Sequence, residues 1–94
     1  MAVEISDHPE QSRYEARQGT ELAGVAAYER GDGVITFSHT VVPDAFEGQG
    51  VGSALARTVL DQARADGLAV VPRCSFIAGW IDRHPDYGDL VQHA

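Results

Sequence analysis

Polar and apolar positions alternate weakly over residues 13–17, and Gly19-Thr20 then supplies a turn, so a first strand is expected to end there. Residues 22–30, Leu-Ala-Gly-Val-Ala-Ala-Tyr-Glu-Arg, read as a second strand with Gly24 as its bulge, and Gly31-Asp32-Gly33 is a strong hairpin signal. A third strand follows over 34–42. Its alternation assigns Ile35, Phe37, His39 and Val41 to one face and Val34, Thr36, Ser38, Thr40 and Val42 to the other, which puts His39 on the more apolar side. The period then changes. Val51, Leu55, Val59 and Ala63 form a helical stripe widened by Ala54, Ala56 and Leu60, with Arg57, Asp61, Arg64 and Asp66 on the wet side and Gly67 placed to cap the C-terminus. Such a helix is about 24 Å long. Residues 68–72 predict a short buried strand, parallel to the third across a right-handed crossover. A second helix over 75–83 stops before His84-Pro85, and 86–93 is expected to be a short terminal turn or helix. Residues 3–11 mix both residue types, end in His8-Pro9-Glu10, and read as a fraying lead-in.

Between the third strand and the first helix, glycines stand at every second position, Gly48, Gly50 and Gly52. The whole stretch 39–59 therefore reads as strand, anion-binding turn, helix. Glycines let the backbone turn tightly and expose successive N–H groups, and a helix start adds unpaired donors and the positive end of the dipole. A phosphate or pyrophosphate is the natural guest. The element order predicts an α/β (α+β) fold: antiparallel N-terminal strands, a central helix after the glycine loop, a parallel fourth strand and a C-terminal helix.

Composition narrows the partners. The chain has 94 residues, enough for one domain spanning 1–94, and 44% of them are hydrophobic. Aspartate and glutamate number 14 against 7 basic residues, all arginine, for a formal net charge of −7. That balance disfavours nucleic acid and anionic membrane surfaces and favours a cationic amine. The absence of lysine excludes a Walker-type loop. Cys74 is the sole cysteine, so no intrachain disulfide forms and a reducing compartment is the simpler reading. No leader-like N-terminus and no apolar run of 18 residues is visible, so a soluble, cytoplasmic protein is expected. No H-x-H, H-E-x-x-H or C-x-x-C spacing occurs, and no metal is expected.

Val42-Pro43, followed by Glu47-Gly48-Gln49-Gly50-Val51-Gly52 and Ser53-Ala54-Leu55, resembles the acetyl-CoA signature of GNAT-type N-acetyltransferases. His39-Thr40-Val41-Val42-Pro43, Val71-Pro72-Arg73-Cys74-Ser75-Phe76-Ile77 and Arg83-His84-Pro85-Asp86-Tyr87 are together similar to the short, single-domain YjdJ-like branch of that superfamily. The glycine motif alone is weakly specific; the three blocks in this order are more so. The resemblance implies a compact mixed sheet, split between the third and fourth strands, with acyl-CoA in the gap. It implies that Gly48, Gln49, Gly50, Val51, Gly52 and Ser53 present N–H groups to the CoA pyrophosphate, and that Val41 and Val42 bond the pantetheine arm like an added strand. Glu47 stands where a glutamine or arginine is usual, and Trp80 where a tyrosine often serves as general acid.

Amine acylation needs a base for the acceptor and a proton for the departing thiolate. His39 is a candidate base on the strand leading to the thioester, its alternative being a hydrogen-bonded histidine of the sheet surface. Cys74, after the fourth strand and near a helix start, is a candidate proton donor or transient acyl carrier, against a packing role. His84 reads first as a helix terminator, with a ligand contact implied by the family block as the alternative, Tyr87 as a ligand contact or packing, and Phe76, Ile77, Trp80 and Ile81 as the face that packs the second helix on the sheet, Trp80 being also a candidate for the pocket lining. The resulting expectation is an acetyl-CoA-dependent N-acetyltransferase, monomeric or weakly dimeric, acting on an unidentified primary amine. The alternative is a non-catalytic CoA-binding or protein-interaction module with the same fold.

Overall fold

Hairpin turns and the β-to-α change of period translate into one five-stranded sheet with helices laid on it. The computed structural model describes residues 3–92. The strands are β1 (Glu4–His8), β2 (Arg13–Gln18), β3 (Glu21–Gly31), β4 (Val34–Val41) and β5 (Ala69–Pro72), in that order across the sheet. Antiparallel pairing joins β1 through β4, and β5 runs parallel to β4, from Val34 opposite Ala69 to Phe37 opposite Pro72. Helix α1 (Val51–Ala65) makes the crossover between them, and α2 (Ser75–Arg83) follows β5. A 3-10 segment, Pro85–Leu90, brings the chain back so that Val91 bridges Val70 and covers part of the free edge of β5. His93, the end of the expected terminal turn, lies outside the described residues.

The expected lead-in is a strand. Every residue of β1 has a partner in β2, from Glu4 opposite Arg17 to His8 opposite Arg13, and Asp7 accepts a 2.6 Å hydrogen bond from the Tyr28 hydroxyl two strands away. Its mixed composition suits an edge strand with one covered face, which blurs the alternation that marks a central strand.

Two bulges set which side chains face the helices. In β3 the register passes from Ala16 opposite Gly24 to Arg17 opposite Leu22, so the extra residue is Ala23 rather than Gly24. Gly24 has a different role. A Cβ there would sit 2.9 Å from Leu55 Cδ1 and 3.1 Å from Val51 Cγ1, so its bare backbone lets α1 settle on the sheet. In β4, Phe37 pairs with Tyr28 but His39 pairs with Ala27, leaving Ser38 as the inserted residue. Tyr28 and Ala26 share the helix-covered face, so Thr40, opposite Ala26, shares it with Phe37. His39 is turned to the other face and is exposed, contrary to the uninterrupted alternation the sequence suggests.

Phe37, Leu55, Val59, Leu60, Val70, Ile77 and Trp80 are fully buried and tie α1, α2 and the sheet into one core. Each such side chain contributes about 1.5–3 kcal/mol of burial free energy before conformational entropy is counted. On the opposite face Glu15, only 2% exposed, lies beneath Arg13 and Arg17. Arg13 Nη2 donates to Oε2 at 2.6 Å and Arg17 Nη2 to Oε1 at 3.0 Å. The Arg13 hydrogen bond first, then that from Arg17, outweighs desolvation and holds the Glu15 carboxyl below its ordinary range.

Two expected outcomes follow from this packing. Gly24→Val drives a branched side chain into Leu55 and Val51 and is expected to cost about 1–3 kcal/mol in urea unfolding; an unchanged midpoint would refute the tight contact. Burial, then the nearby Asp7 carboxylate, pushes the Tyr14 hydroxyl up to about 12, and Tyr28 and Tyr87 are also raised, Tyr28 by burial first and Tyr87 by its hydrogen bond to Asp61. A raised phenol contributes stability that is complete below its unfolded value, about 10, and is lost as pH climbs through the folded value. Phenolate absorbance of the folded protein should therefore show no tyrosine with a midpoint at about 10.

Candidate functional site

The site begins where two strands part. Parallel pairing of β4 with β5 ends at Phe37 opposite Pro72, and Cys74 N–H makes the next bond, to the Phe37 carbonyl at 2.9 Å. Beyond it the chain turns into α2 while β4 continues to Val41, so the last residues of β4 run without a partner on that side. A cleft of about 680 Å3 opens there. Its walls come from the end of β4 (Thr40, Val41, Val42), the loop and start of α1 (Phe46 to Ser53, Gln49 excepted) and α2 with its end (Phe76, Trp80, Arg83, His84). This size lies within the usual range for small-molecule and cofactor sites.

The three loop glycines have two separate causes. Gly48 and Gly50 have φ of +81° and +80°, the left-handed conformation that side chains disfavour, and a Cβ on either would meet nothing within 4 Å. The turn they make aims the start of α1 at the cleft. Gly50 is the N-cap and offers no side-chain acceptor, and the first intrahelical bond is Ala54 N–H to Gly50 O at 3.0 Å. The N–H groups of Val51, Gly52 and Ser53 therefore have no intrahelical acceptor, at the positive end of a 15-residue helix. Gly52 is used differently: a Cβ would stand 2.8 Å from Phe76 Cζ, so the ring of Phe76 lies over the first turn of α1. Phe76 is 37% exposed and lines the cleft rather than the sheet core expected for it. Gln49 does not line the cleft; its side-chain amide donates to the Ala45 carbonyl at 3.4 Å.

Trp80 fixes the far wall. It is 1% exposed, and its indole N–H donates to Ser53 Oγ at 2.9 Å, joining α2 to the first turn of α1. His84 stacks on it, with ring centroids 3.7 Å apart and planes 13° from parallel. Nδ1 of His84 lies 2.7 Å from the Trp80 carbonyl, and a carbonyl only accepts, so Nδ1 carries the hydrogen and Nε2 is the nitrogen left for other partners. Tyr87 meets Trp80 edge-on, donates to Asp61 at 2.7 Å and accepts from Arg57 at 3.4 Å; Arg57 in turn lies 5.3 Å from the Trp80 ring centroid. These contacts hold Tyr87 outside the cleft lining. Arg57 is thereby engaged away from Glu47, which lines the cleft as an exposed carboxylate.

Neither candidate catalytic side chain lines the cleft, and the two lie toward opposite faces of the sheet. Cys74 is buried at the N-cap of α2, and its thiol donates to Thr40 Oγ1 at 3.3 Å; Thr40 lines the cleft, but Cys74 itself does not. His39 also does not line the cleft, because the bulge at Ser38 sends it to the other face of the sheet. Val41, 53% exposed, borders the cleft from that same face. Arg83 and His84 are cleft residues to which sequence reasoning gave no primary role. The only signal was the block Arg83-His84-Pro85, whose proline made a helix end the simpler account. Among the described residues no group of three or more histidine, cysteine, aspartate or glutamate side chains is arranged to hold a metal ion, and no helix is long and apolar enough to cross a membrane.

Comparison with known proteins agrees with this geometry. The solution structure of a GCN5-like protein from Staphylococcus aureus superposes with a TM-score of 0.74 at 26% identity, covering 97% of this chain and 89% of that one. No curated protein matches the sequence. The family model for GCN5-related N-acetyl-transferases matches residues 13–90, from β2 through the terminal 3-10 segment. The chain therefore belongs to the GCN5-related N-acetyltransferase family and is, by that membership, an acyltransferase.

Proposed function

We propose that the protein binds acetyl-CoA in the cleft between β4 and α2 and transfers the acetyl group to a primary amine. The observation that carries this reading is the pair of left-handed glycines, which turn an uncapped helix start toward a cleft lying where β4 has lost its neighbour. The residues fit the group. Val51, Gly52 and Ser53 supply backbone donors for a pyrophosphate, Gly48 and Gly50 leave open space for its approach, and Val42, Phe46 and Phe76 give an apolar wall for a pantetheine arm. The free edge of β4 at Val41 and Val42 offers backbone groups that bond an extended chain as an added strand would. Acetyl-CoA supplies the activated thioester.

The parting of the strands gives this site two approaches. Thr40 belongs to the helix-covered face, with Cys74 behind it, and His39 and Val41 belong to the opposite face. We place the acceptor amine on the His39 side, where an exposed imidazole is available to take the proton an ammonium group must lose. Cys74 does not line the cleft, but its thiol donates to Thr40 Oγ1, which does, so a proton for the departing thiolate is supplied from Cys74 through that hydroxyl. Whether the acetyl group also rests on Cys74 in passing is decided by the same variant, because Cys74→Ala abolishes transfer if the sulfur carries the acetyl group and only slows it, by about 10²–10⁴-fold, if it donates a proton.

Calorimetric titration with acetyl-CoA tests the reading. The parent should bind, and Gly50→Glu should not, because the new carboxylate fills the donor cradle with bulk and negative charge. Gly19→Glu is the control, since Gly19 has a similar φ of +64° in the β2–β3 turn, away from the cleft. It should bind as the parent does. Absence of binding by the folded parent, or equal binding by all three proteins, contradicts the proposal.

A further inference from the structure

The cleft lining includes two basic residues that the glycine loop does not explain. Arg83 is the last residue of α2 and His84 its C-cap, and both line the cleft. Four other arginines are committed: Arg13 and Arg17 to Glu15, Arg30 to Asp66, and Arg64 to Asp89. Arg57 is engaged by Trp80 and Tyr87. Among the described residues no carboxylate forms an ion pair with Arg83. Its guanidinium folds back along the helix, with Nη1 3.5 Å from where a Cβ of Gly79 would stand. A guanidinium without a carboxylate, on the wall of a cleft that the start of α1 also lines, suits an anion.

His84 adds a directional donor. Its Nδ1–H is spent on the Trp80 carbonyl and its ring is fixed by stacking on Trp80, so Nε2 is held in a set orientation. Trp80 in turn is bonded to Ser53 in the first turn of α1. The Arg83 and His84 pair is thus tied to the glycine loop through one rigid indole, next to that loop but distinct from it. Neutral imidazole offers Nε2 as an acceptor only; protonated, it donates, which is what a phosphate oxygen requires.

We propose that Arg83 and His84 form a second phosphate subsite. It takes the monoester phosphate on the ribose of the acyl carrier while the glycine loop holds the pyrophosphate. This rests on the reading that acyl-CoA occupies the cleft, and it adds a selectivity: the protein distinguishes a carrier with two separated phosphate groups from one with the pyrophosphate alone. Phosphate binding favours the imidazolium form of His84, so a proton is taken up as the ligand binds. The other charged groups near the pair are Glu47, which lines the same cleft, Asp86, two residues along the chain from His84, and Arg57, which lies against the Trp80 ring. Glu47 opposes an anion, so the selectivity depends on Arg83 and on a protonated His84.

The test compares CoA with dephospho-CoA, which lacks only the ribose phosphate, by calorimetry on the parent, Arg83→Gln and His84→Gln. The parent should bind CoA about tenfold or more tightly than dephospho-CoA. Arg83→Gln should bind both ligands as weakly as the parent binds dephospho-CoA. Between pH about 8 and 6 the parent's preference for CoA should grow, and His84→Gln should flatten that growth, which separates His84 from the ligand's own phosphate titration. Equal affinity of the parent for both ligands overturns the subsite while leaving the acetyl-CoA reading intact. So does an Arg83→Gln variant that weakens both ligands by the same factor. Failure of the folded parent to bind either ligand overturns both readings together.

Discussion

The structure depends on one broken pairing. Parallel β4 and β5 stay in register for four residue pairs, and the bond from Cys74 N–H to Phe37 O is the last that holds them together. Past that point β5 becomes α2 and β4 carries on alone. A free strand edge inside a protein is a liability unless something covers it. Here the edge borders a cleft, and the glycine loop, the start of α1 and the end of α2 all meet around it. The unpaired backbone thus faces a cleft, where the proposed acetyl-CoA site makes use of it.

Packing keeps the cleft open. Gly24 brings α1 down onto the sheet, Gly52 admits the ring of Phe76, and Trp80 pins α2 to Ser53. These contacts place the helix start without using its own N–H groups, so the donors stay available. The Asp61, Tyr87 and Arg57 contacts buttress Trp80 from behind, and the Trp80 carbonyl orients His84 in front. The atoms that support the cleft are therefore different from the N–H donors and the His84 Nε2 that it leaves free.

Much of this was legible in the sequence, and the omissions have physical reasons. The three central strands, both helices and the parallel crossover follow from period changes and glycine-marked turns. The loop was readable because its glycines immediately precede a helical stripe. The bulge at Ser38 was not, because Phe37-Ser38-His39-Thr40 continues the alternation smoothly and no glycine or proline marks the inserted residue. That single extra residue reversed the faces of His39 and Thr40. Strand β1 was hidden by the mixed pattern of an edge strand, and its hydrogen bond from Tyr28 is a contact 21 residues apart that no local window reports. The roles of Gly24 and Gly52 depend on which side chains arrive from other elements. His84 looked like punctuation before Pro85, since its carbonyl partner and its stacking on Trp80 exist only once α2 is formed.

The central claim is that the loop donors at the start of α1 and the free edge of β4 together hold acetyl-CoA. The most direct measurement is a titration of the isotope-labelled protein with acetyl-CoA, following backbone amide resonances. The account predicts that the largest shifts fall on Gly48, Gly50, Val51, Gly52 and Ser53 and on Thr40 to Val42, while β1 and the amides around Glu15 stay still. Shifts centred on the Glu15 face, or a saturating ligand that leaves the amides of Gly50 to Ser53 unmoved, would contradict it.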